Sequence, residues 1–319
     1  MSRYDLEPLD LSGLRTTSIH QRAGKVRAAN LARPYHEGTG VKGLLDSLPR
    51  ILAAESLRDV VEAILNARSS GKPVVWGLGG HVIKCGLAPV LLDLMRRGYA
   101  TAFALNGAAA IHDFEIAIAG STSEDVESVL PDGSFGTAEE TGREMNAAIS
   151  CGVREGVGIG EALGKRLSEI ARSEFAPLSL LASTYASGVP VTVHVAIGTD
   201  SPHTHPAADG AAIGAGTYHD FRLFCRIVSG LDRGGVYVNA GSAVLLPEVF
   251  LKAVSAVRNL GHPLGEFTTV NMDFIQHYRP TANVLSRPHA KSGGRGYALT
   301  GHHEIMIPLL AAMLIEVGA

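Results

Sequence analysis

The chain has 319 residues, of which 46% are hydrophobic, and its formal net charge at pH 7 is -3. This length and apolar content suit one large α/β domain or two smaller ones, and they exclude a mainly disordered chain. The lysines and arginines are scattered, which excludes a basic surface that could follow nucleic-acid phosphates.

The cysteines and the N-terminal residues indicate the cellular compartment in which the protein is expected to work. Cys85, Cys151 and Cys225 lie far apart, without the spacing of metal ligands or of a disulfide framework, as is typical of a reducing environment. The first residues lack the apolar core of a signal peptide, and the chain has no uncharged apolar run of about 18 residues. We therefore expect a soluble cytoplasmic protein with no membrane partner.

Residues 1–40 are predicted to form an irregular arm, and residues 41–319 are predicted to form a single α/β domain. A helical spacing of apolar residues begins at Val41, and a second helix is expected from Ser56 to Ala67. Further helices are predicted at residues 87–97, 137–149, 159–172, 218–229, 246–260 and 303–317.

Five apolar runs are predicted to be strands. Each ends in small or polar residues and most lead into a helical pattern, which indicates a Rossmann-like, mostly parallel sheet with helices on both faces. Ligands of such sheets bind outside the carboxyl ends of the strands. The predicted strands are residues 73–78, 100–105, 191–197, 235–239 and 266–271. The segments expected to share a site are residues 79–84, 106–113, 199–205, 239–242 and 271–277.

The loop after the third predicted strand carries a dense group of titratable side chains. Asp200, His203, His205 and Asp209 follow the strand closely. Imidazoles beside carboxylates could move protons near neutral pH or bind a metal ion such as zinc. His194 precedes the loop within an apolar run, and we expect it to be a hydrogen-bonded core histidine rather than a ligand.

The glycine turn after the first strand favours the binding of an anion. Gly79 and Gly80 stand between a strand and a helix start, where backbone N–H groups and the helix dipole attract a phosphate. The turn lacks the G-x-G-x-x-G pattern of dinucleotide-binding proteins. A phosphate site and a tight turn that merely needs glycine therefore both remain open.

Short motifs in the chain resemble deoxyhypusine synthase. They are Gly-Gly-His-Val-Ile-Lys-Cys-Gly (79–86), Leu-Asn-Gly-Ala-Ala (105–109), Gly-Gly-Val-Tyr-Val-Asn-Ala-Gly (234–241), Tyr-Arg-Pro-Thr-Ala-Asn-Val (278–284) and a Pro-Leu-Leu helix at Pro308. The resemblance runs in order through about residues 55–315. It implies a Rossmann-like fold, a homotetramer and NAD at subunit interfaces. In that family NAD oxidises spermidine, and an enzyme lysine carries the aminobutyl group as an imine.

The resemblance and the strand-end rule together predict a set of NAD contacts. The expected residues are Gly79, Gly80, His81, Asn106, Gly107, Ala108, Gly241, Ser242, Thr268 and Asp273. The chain lacks the family's catalytic lysine. Residues 284–288 occupy the matching positions, and the nearest lysine is Lys291. No imine can form unless Lys291 or Lys84 reaches the site. The chain is therefore not expected to be an authentic deoxyhypusine synthase.

Three functions remain open on the sequence. The first is an NAD-dependent enzyme acting on a polyamine or other amine, with Lys291, His205 and Asp200 as catalytic residues. The second is a metal-dependent hydrolase that binds zinc through His203, His205 and Asp200. The third is a non-catalytic dinucleotide-binding protein that has kept the scaffold.

Overall fold

The computed structural model describes residues 3–318 of the chain. Helices surround one parallel sheet, and within this range none combines the length and the apolar character needed to cross a bilayer. The helices are α1 (Gly40–Ser47), α2 (Leu52–Ser69), α3 (Gly80–Lys84), α4 (Ala88–Arg96), α5 (Gly107–Ala119), α6 (Val126–Val129), α7 (Glu139–Glu155), α8 (Ile159–Ile170), α9 (Leu180–Ser187), α10 (Gly210–Ser229), α11 (Leu245–Asn259), α12 (Tyr278–Pro280) and α13 (His303–Val317).

The sheet has six parallel strands in the order β3-β2-β1-β4-β5-β6, which confirms the predicted Rossmann-like fold. The chain winds outward from β1 in one direction and from β4 in the other, so the switch point lies between these two central strands. The strands are β1 (Val74–Leu78), β2 (Ala102–Asn106), β3 (Val191–His194), β4 (Val236–Ala240), β5 (Thr268–Asp273) and β6 (Arg295–Thr300).

Apolar burial on both faces stabilises the central strands. Every residue of β1 and β4 is buried, as expected for parallel strands covered by helices. On one face, Tyr237 stacks on Phe250 with ring centroids 4.0 Å apart. On the other face, Trp76 donates from Nε1 to the Tyr99 carbonyl oxygen at 3.1 Å. The two faces form two separate apolar clusters.

The strand register brings the carboxyl ends to one level. Leu78 of β1 pairs with Leu105 of β2 and with Ala240 of β4. Asn106 then pairs with His194 at the end of β3. The segments that leave these four strands therefore start at the same edge of the sheet.

Three features differ from the sequence prediction for local reasons. β3 ends at His194 rather than at residue 197, because the next N–H group donates to the Thr217 hydroxyl of α10. α10 begins at Gly210 rather than at residue 218, because the Asp209 carboxylate accepts from two N–H groups of its first turn. β6 was not predicted, because Leu299 is its single buried residue.

Residues 3–39 run along the surface. All of them except Asn30 are exposed. Backbone hydrogen bonds attach this segment to the start of the domain, from the Arg33 N–H group to the Ser47 carbonyl oxygen (2.8 Å) and from the Arg50 N–H group to the Asn30 carbonyl oxygen (2.9 Å). The division of the chain at residue 40 stays a prediction.

Candidate functional site

A cavity of about 760 Å³ lies at the carboxyl edge of the sheet, where β2, β3 and β4 end. We call it the strand-end cavity. Its volume lies in the range of sites for cofactors and other small molecules. Its lining residues are Asn106, Gly107, His194, Val195, Ala196, Thr199, Asp200, Thr217, Tyr218, Phe221, Gly241, Ser242, Ala243, Val244, Leu245, Glu248 and Val249.

A second cavity, of about 320 Å³, lies beside helix α5, and we call it the α5 cavity. One face of the helix lines it, because Ala108, His112 and Glu115 repeat at the spacing of helical neighbours. Segments before α7 and after β3 form the opposite side. The lining residues are Ala108, Ile111, His112, Glu115, Ser123, Glu124, Phe135, Gly136, Ala138, Gly198, Thr199, Asp200, Ser201 and Thr204.

The loop after β3 belongs to both cavities. Thr199 and Asp200 line each of them. The Asp200 carboxylate packs against the Cα atom of Gly107, so that a Cβ atom at this glycine would overlap Oδ2. Oδ2 is buried and has no hydrogen-bond partner within residues 3–318, and burial raises the pKa of the carboxyl group. An unpartnered buried acceptor is costly, which makes Asp200 well suited to receive a donor from a ligand.

A hydrogen-bonded chain of side chains borders the α5 cavity. The Thr122 hydroxyl donates to Glu115 Oε2 (2.5 Å) and therefore accepts from His112 Nδ1, 2.7 Å away. The Thr141 hydroxyl donates to the other Glu115 oxygen at 3.1 Å. His112 is thus assigned the Nδ1–H tautomer, and its Nε2 atom has no partner in the described residues. Burial and the charge of Lys84 lower the pKa of His112, so the imidazole is neutral at pH 7.

Glycines at the strand ends allow close contact between protein segments. A Cβ atom on Gly79 would overlap the Gly241 carbonyl oxygen, and one on Gly80 would lie 2.9 Å from Ala108 Cβ. Gly241 has a φ of 70°, in the left-handed region that favours glycine. Gly79 and Gly80 line neither cavity. The turn after β1 therefore needs its glycines for packing, whether or not a phosphate binds nearby.

The end of β2 differs from that of common dinucleotide sites. In those sites an acidic residue after the second strand binds the ribose hydroxyls. Here Asn106 instead caps α5, because its Oδ1 atom accepts from the Ala109 N–H group at 2.9 Å. A carboxylate is nevertheless present beside this strand end, because Asp200 reaches Gly107 from the loop after β3.

The two loop histidines line neither cavity. His203 Nδ1 accepts from the N–H groups of Gly198 (3.1 Å) and Asp200 (3.3 Å) and so shapes the loop. His205 lies against α7, where its Nε2 atom is 3.2 Å from Glu139 Oε2. Within residues 3–318, the side chains that lie close enough to share a metal ion include none of His203, His205 and Asp200. The structure therefore does not assemble the metal-ligand set expected from the loop, and it places His205 away from the cavities.

His194 is buried, as the sequence predicts. Its Nε2 atom is 2.9 Å from the Thr192 hydroxyl, and its ring packs on Phe224. Burial lowers the pKa of His194 to about 3, so the ring is neutral at the floor of the strand-end cavity.

Two expected site residues lie at the opposite edge of the sheet. Thr268 is the first residue of β5, about 16 Å along the strand from Asp273 at its carboxyl end. Lys291 precedes β6 and lies with Asp232 and Glu266, which precede β4 and β5. The expected placement of Thr268 and Lys291 at the carboxyl edge is therefore wrong, and the cause is the same for both. Residues before and after parallel strands lie at opposite edges of the sheet. Neither Thr268 nor Lys291 can reach the two cavities.

Lys291→Ala is expected to leave NADH binding unchanged. The side chain is exposed at the amino edge, so its removal alters neither cavity, and the free energy of unfolding should change by less than about 0.5 kcal/mol. Fluorescence titration with NADH measures the effect, with Lys84→Ala as a comparison variant at the carboxyl edge. A weakening of about tenfold or more by Lys291→Ala would contradict this placement.

The other expected cofactor residues, His81 and Asp273, line neither cavity and lie beside α13. The fully buried His303 side chain joins them. Its Nε2 atom is 3.2 Å from the Met272 carbonyl oxygen and 3.9 Å from Asp273 Oδ1. Its ring centroid is 5.6 Å from that of His81. The carboxyl edge thus carries two groups of polar side chains, one around the cavities and one around His303.

The strand order places the chain in the class of doubly wound α/β proteins, and the strand-end cavity lies at the edge of the sheet where such proteins bind ligands. Neither a model of a known protein family nor a curated protein sequence matches the chain.

Solved structures match the chain at the level of the fold. A conserved protein from Methanococcus maripaludis S2, a candidate LOR/SDH protein, is 14% identical over 84% of this chain and 71% of its own, with a TM-score of 0.53. AgrE, solved in a ternary complex with ornithine and NAD+, is 18% identical over 85% of this chain, with a TM-score of 0.52. The matched part is 34% of AgrE, so this chain spans about a third of that protein.

A candidate deoxyhypusine synthase from Entamoeba histolytica also matches, with 11% identity over 90% of this chain and 96% of its own and a TM-score of 0.49. At these identities the likeness to solved structures shows a shared fold alone. Membership of the deoxyhypusine synthase family, which the sequence motifs suggest, is not established by these comparisons.

Proposed function

We propose that the chain is an NAD-dependent enzyme acting on an amine, with NAD in the strand-end cavity and the amine in the α5 cavity. The observation that carries the proposal is Asp200, which lines both cavities and whose Oδ2 atom has no hydrogen-bond partner within residues 3–318. A group in this position can bind the amino group of a substrate next to a cofactor.

The strand-end cavity suits a dinucleotide in size and surface. Backbone and small side chains at the ends of β2 and β4 form part of its lining, among them Gly107, Gly241 and Ser242. Doubly wound sheets bind dinucleotides at this edge, near the switch point between β1 and β4. Bound NAD would supply the hydride acceptor. The complex of AgrE with ornithine and NAD+ supports the pairing of an amine with a dinucleotide in this architecture.

The α5 cavity suits a cationic substrate. Its lining includes the carboxylates of Glu115, Glu124 and Asp200 and no lysine or arginine. Glu115 already accepts from two threonine hydroxyls and one oxygen of Glu124 accepts from the Gly136 N–H group, whereas the buried Oδ2 atom of Asp200 has no partner in the described part of the chain. We therefore assign the ammonium ion to Asp200. The neutral His112 imidazole takes the proton from this ammonium group. The product is the neutral amine that is required before a hydride can leave the adjacent carbon.

The proposal includes no imine with an enzyme lysine. Lys291 lies at the amino edge, and Lys84 is an exposed residue at the end of α3 that acts on the charge state of His112. We therefore propose amine oxidation by a protein that is not an authentic deoxyhypusine synthase. The homotetramer and the cytoplasmic location stay predictions.

Equilibrium titration of the purified protein with NADH, followed by fluorescence, tests the cofactor half of the proposal. A panel of monoamines, ornithine and spermidine with NAD+, followed by NADH formation, tests the substrate half. We expect saturable binding and NADH formation with at least one amine. Absence of binding at millimolar NADH would remove the proposal. Binding without turnover of any amine would favour the non-catalytic dinucleotide-binding protein.

Asp200→Asn is expected to stabilise the fold and to impair amine use. Asparagine keeps the shape but removes the charge that pairs with an ammonium group, so kcat/KM should fall about a hundredfold, or about 3 kcal/mol. The change also removes the charge of a half-buried carboxylate whose Oδ2 atom is buried without a partner among the described residues, so the free energy of unfolding should rise by about 1 kcal/mol. Steady-state kinetics and urea unfolding measure the two effects.

Asp209→Asn is the matched control, because it changes an exposed aspartate of the same loop and asparagine caps a helix equally well. It should leave kinetics and stability near those of the wild type. If Asp200→Asn weakened NADH binding and left the amine kinetics unchanged, Asp200 would bind the cofactor ribose instead of the substrate.

A further inference from the structure

Three side chains of metal-binding type lie together outside the two cavities. His81 and Cys85 stand four residues apart on one face of α3 and its end, and Glu304 is the second residue of α13. His81 Nε2 is 3.4 Å from Cys85 Sγ, and Cys85 Sγ donates to Glu304 Oε2 at 3.7 Å. All three ligand atoms lie within 4.8 Å of one another.

These separations are close to those around a tetrahedral zinc ion. Zinc bonds to nitrogen, oxygen and sulfur of about 2.0–2.3 Å, at tetrahedral angles, put the ligand atoms about 3.4–3.6 Å apart. The nitrogen–sulfur and sulfur–oxygen separations already agree with this range to within a few tenths of an ångström. The Glu304 side chain is exposed, so a small rotation can bring its carboxylate closer to His81.

We propose that His81, Cys85 and Glu304 bind a divalent zinc-type ion. Thiolate and imidazole ligands select zinc and cobalt, whereas magnesium and calcium take oxygen ligands. The thiol proton leaves to solvent when Sγ binds the metal. His81 and Glu304 are exposed and Cys85 is half-buried, so the ion has access and a fourth position stays open to water. Three protein ligands and an open position are typical of catalytic zinc sites.

Neighbouring aromatic rings orient the ligand set. The ring of His81 packs edge-on to the buried His303 at 5.6 Å and against Phe274 at 5.9 Å between centroids. His302 stacks on the same Phe274 and directs Nδ1 toward Glu304 Oε1, 3.9 Å away. Such outer partners hold metal ligands in position. The site uses neither Asp200 nor the cavities, so it stands independently of the proposed NAD chemistry.

Cobalt(II) titration of the metal-stripped, full-length protein tests the proposal. We expect one equivalent of cobalt to bind, with a thiolate-to-cobalt absorption band in the near ultraviolet and visible bands of a four-coordinate ion. Zinc should displace the cobalt, and an excess of magnesium should not. Absence of the thiolate band at one equivalent of cobalt would overturn the proposal.

Single substitutions assign the ligands. Cys85→Ser should abolish the thiolate band, and His81→Gln or Glu304→Gln should weaken cobalt binding by at least about tenfold. Cys151→Ser is the matched control, because Cys151 also lies 3.6 Å from a carboxylate, that of Glu155, but belongs to no three-ligand group within residues 3–318. Melting temperatures without metal should stay near that of the wild type. A band that survives Cys85→Ser, or that Cys151→Ser removes, would contradict the assignment.

Discussion

Gly79→Ala is expected to lower the free energy of unfolding by about 3 kcal/mol and to abolish NADH binding. The φ of -87° and ψ of 162° at this position are open to alanine, so the effect comes from contact alone. The added Cβ atom would overlap the Gly241 carbonyl oxygen, which is a backbone atom and cannot rotate away. The ends of β1 and β4 must therefore separate, which displaces Gly241 from the lining of the strand-end cavity.

Gly214→Ala is the matched control for this change. Gly214 lies in α10, and no atom lies within 4 Å of the added Cβ. Alanine there should be neutral or stabilise the helix by up to about 1 kcal/mol. Urea unfolding and NADH titration of both variants make the comparison. Equal stability of the two variants would show that β1 and β4 do not pack as closely as described.

Asp220→Ala is expected to lower the free energy of unfolding by about 4 kcal/mol. Asp220 is a buried residue of α10, and its Oδ2 atom accepts from the N–H groups of Gly160 (2.9 Å) and Val193 (2.8 Å). Alanine would leave both buried donors unpaired, at about 1–3 kcal/mol each, and would leave a small void. These bonds connect α8, α10 and β3, the strand that leads into the Asp200 loop.

Asp220→Asn removes the charge of the side chain but keeps an oxygen that can accept both hydrogen bonds, so it measures the effect of the charge on stability alone. Burial raises the pKa of Asp220 from its ordinary value of 3.8 to about 7, so the folded protein holds this proton more tightly than the unfolded chain. The contribution of Asp220 to stability is therefore complete below pH 3.8 and is lost as the pH rises to about 7.

Between pH 5 and pH 8, the wild type should lose about 3 kcal/mol relative to the Asp220→Asn variant. Urea unfolding of both proteins at the two pH values measures this difference. A stability difference that does not change with pH would mean that the pKa of Asp220 is not raised in the folded protein.

The sheet could largely be predicted from the sequence. Parallel strands buried on both faces appear as continuous apolar runs, which is why β1 to β5 were found with ends shifted by a few residues. β6 has glycine at position 296 and a single buried side chain, Leu299, because it lies at the edge of the sheet. An edge strand of this composition carries too little apolar pattern to be recognised.

The site could be predicted only in part, because the local pattern of a segment does not indicate which strands lie next to each other in the sheet. In the order β3-β2-β1-β4, the loop after β3 lies next to β2, and for this reason Asp200 meets Gly107. Thr268 and Lys291 were expected at the site from the resemblance. The start of β5 at Thr268 and of β6 after Lys291 moves both residues to the amino edge.

The role of His112 was missed for a similar reason. Its Nδ1 atom bonds to the hydroxyl of Thr122, a loop residue that follows the end of α5 and folds back against the helix. The available signal was the helical spacing of Ala108, His112 and Glu115, which predicts one shared face. The four-residue spacing of His81 and Cys85 was a comparable signal, but Glu304 joins them only through the packing of α13 beside α3.

A crystal structure of the protein soaked with NAD+ tests most directly whether the carboxyl edge is a dinucleotide site. We expect electron density for the cofactor in the strand-end cavity, in contact with Gly107 and Gly241. An empty strand-end cavity at saturating NAD+, or cofactor bound at the amino edge near Lys291, would contradict the proposed site.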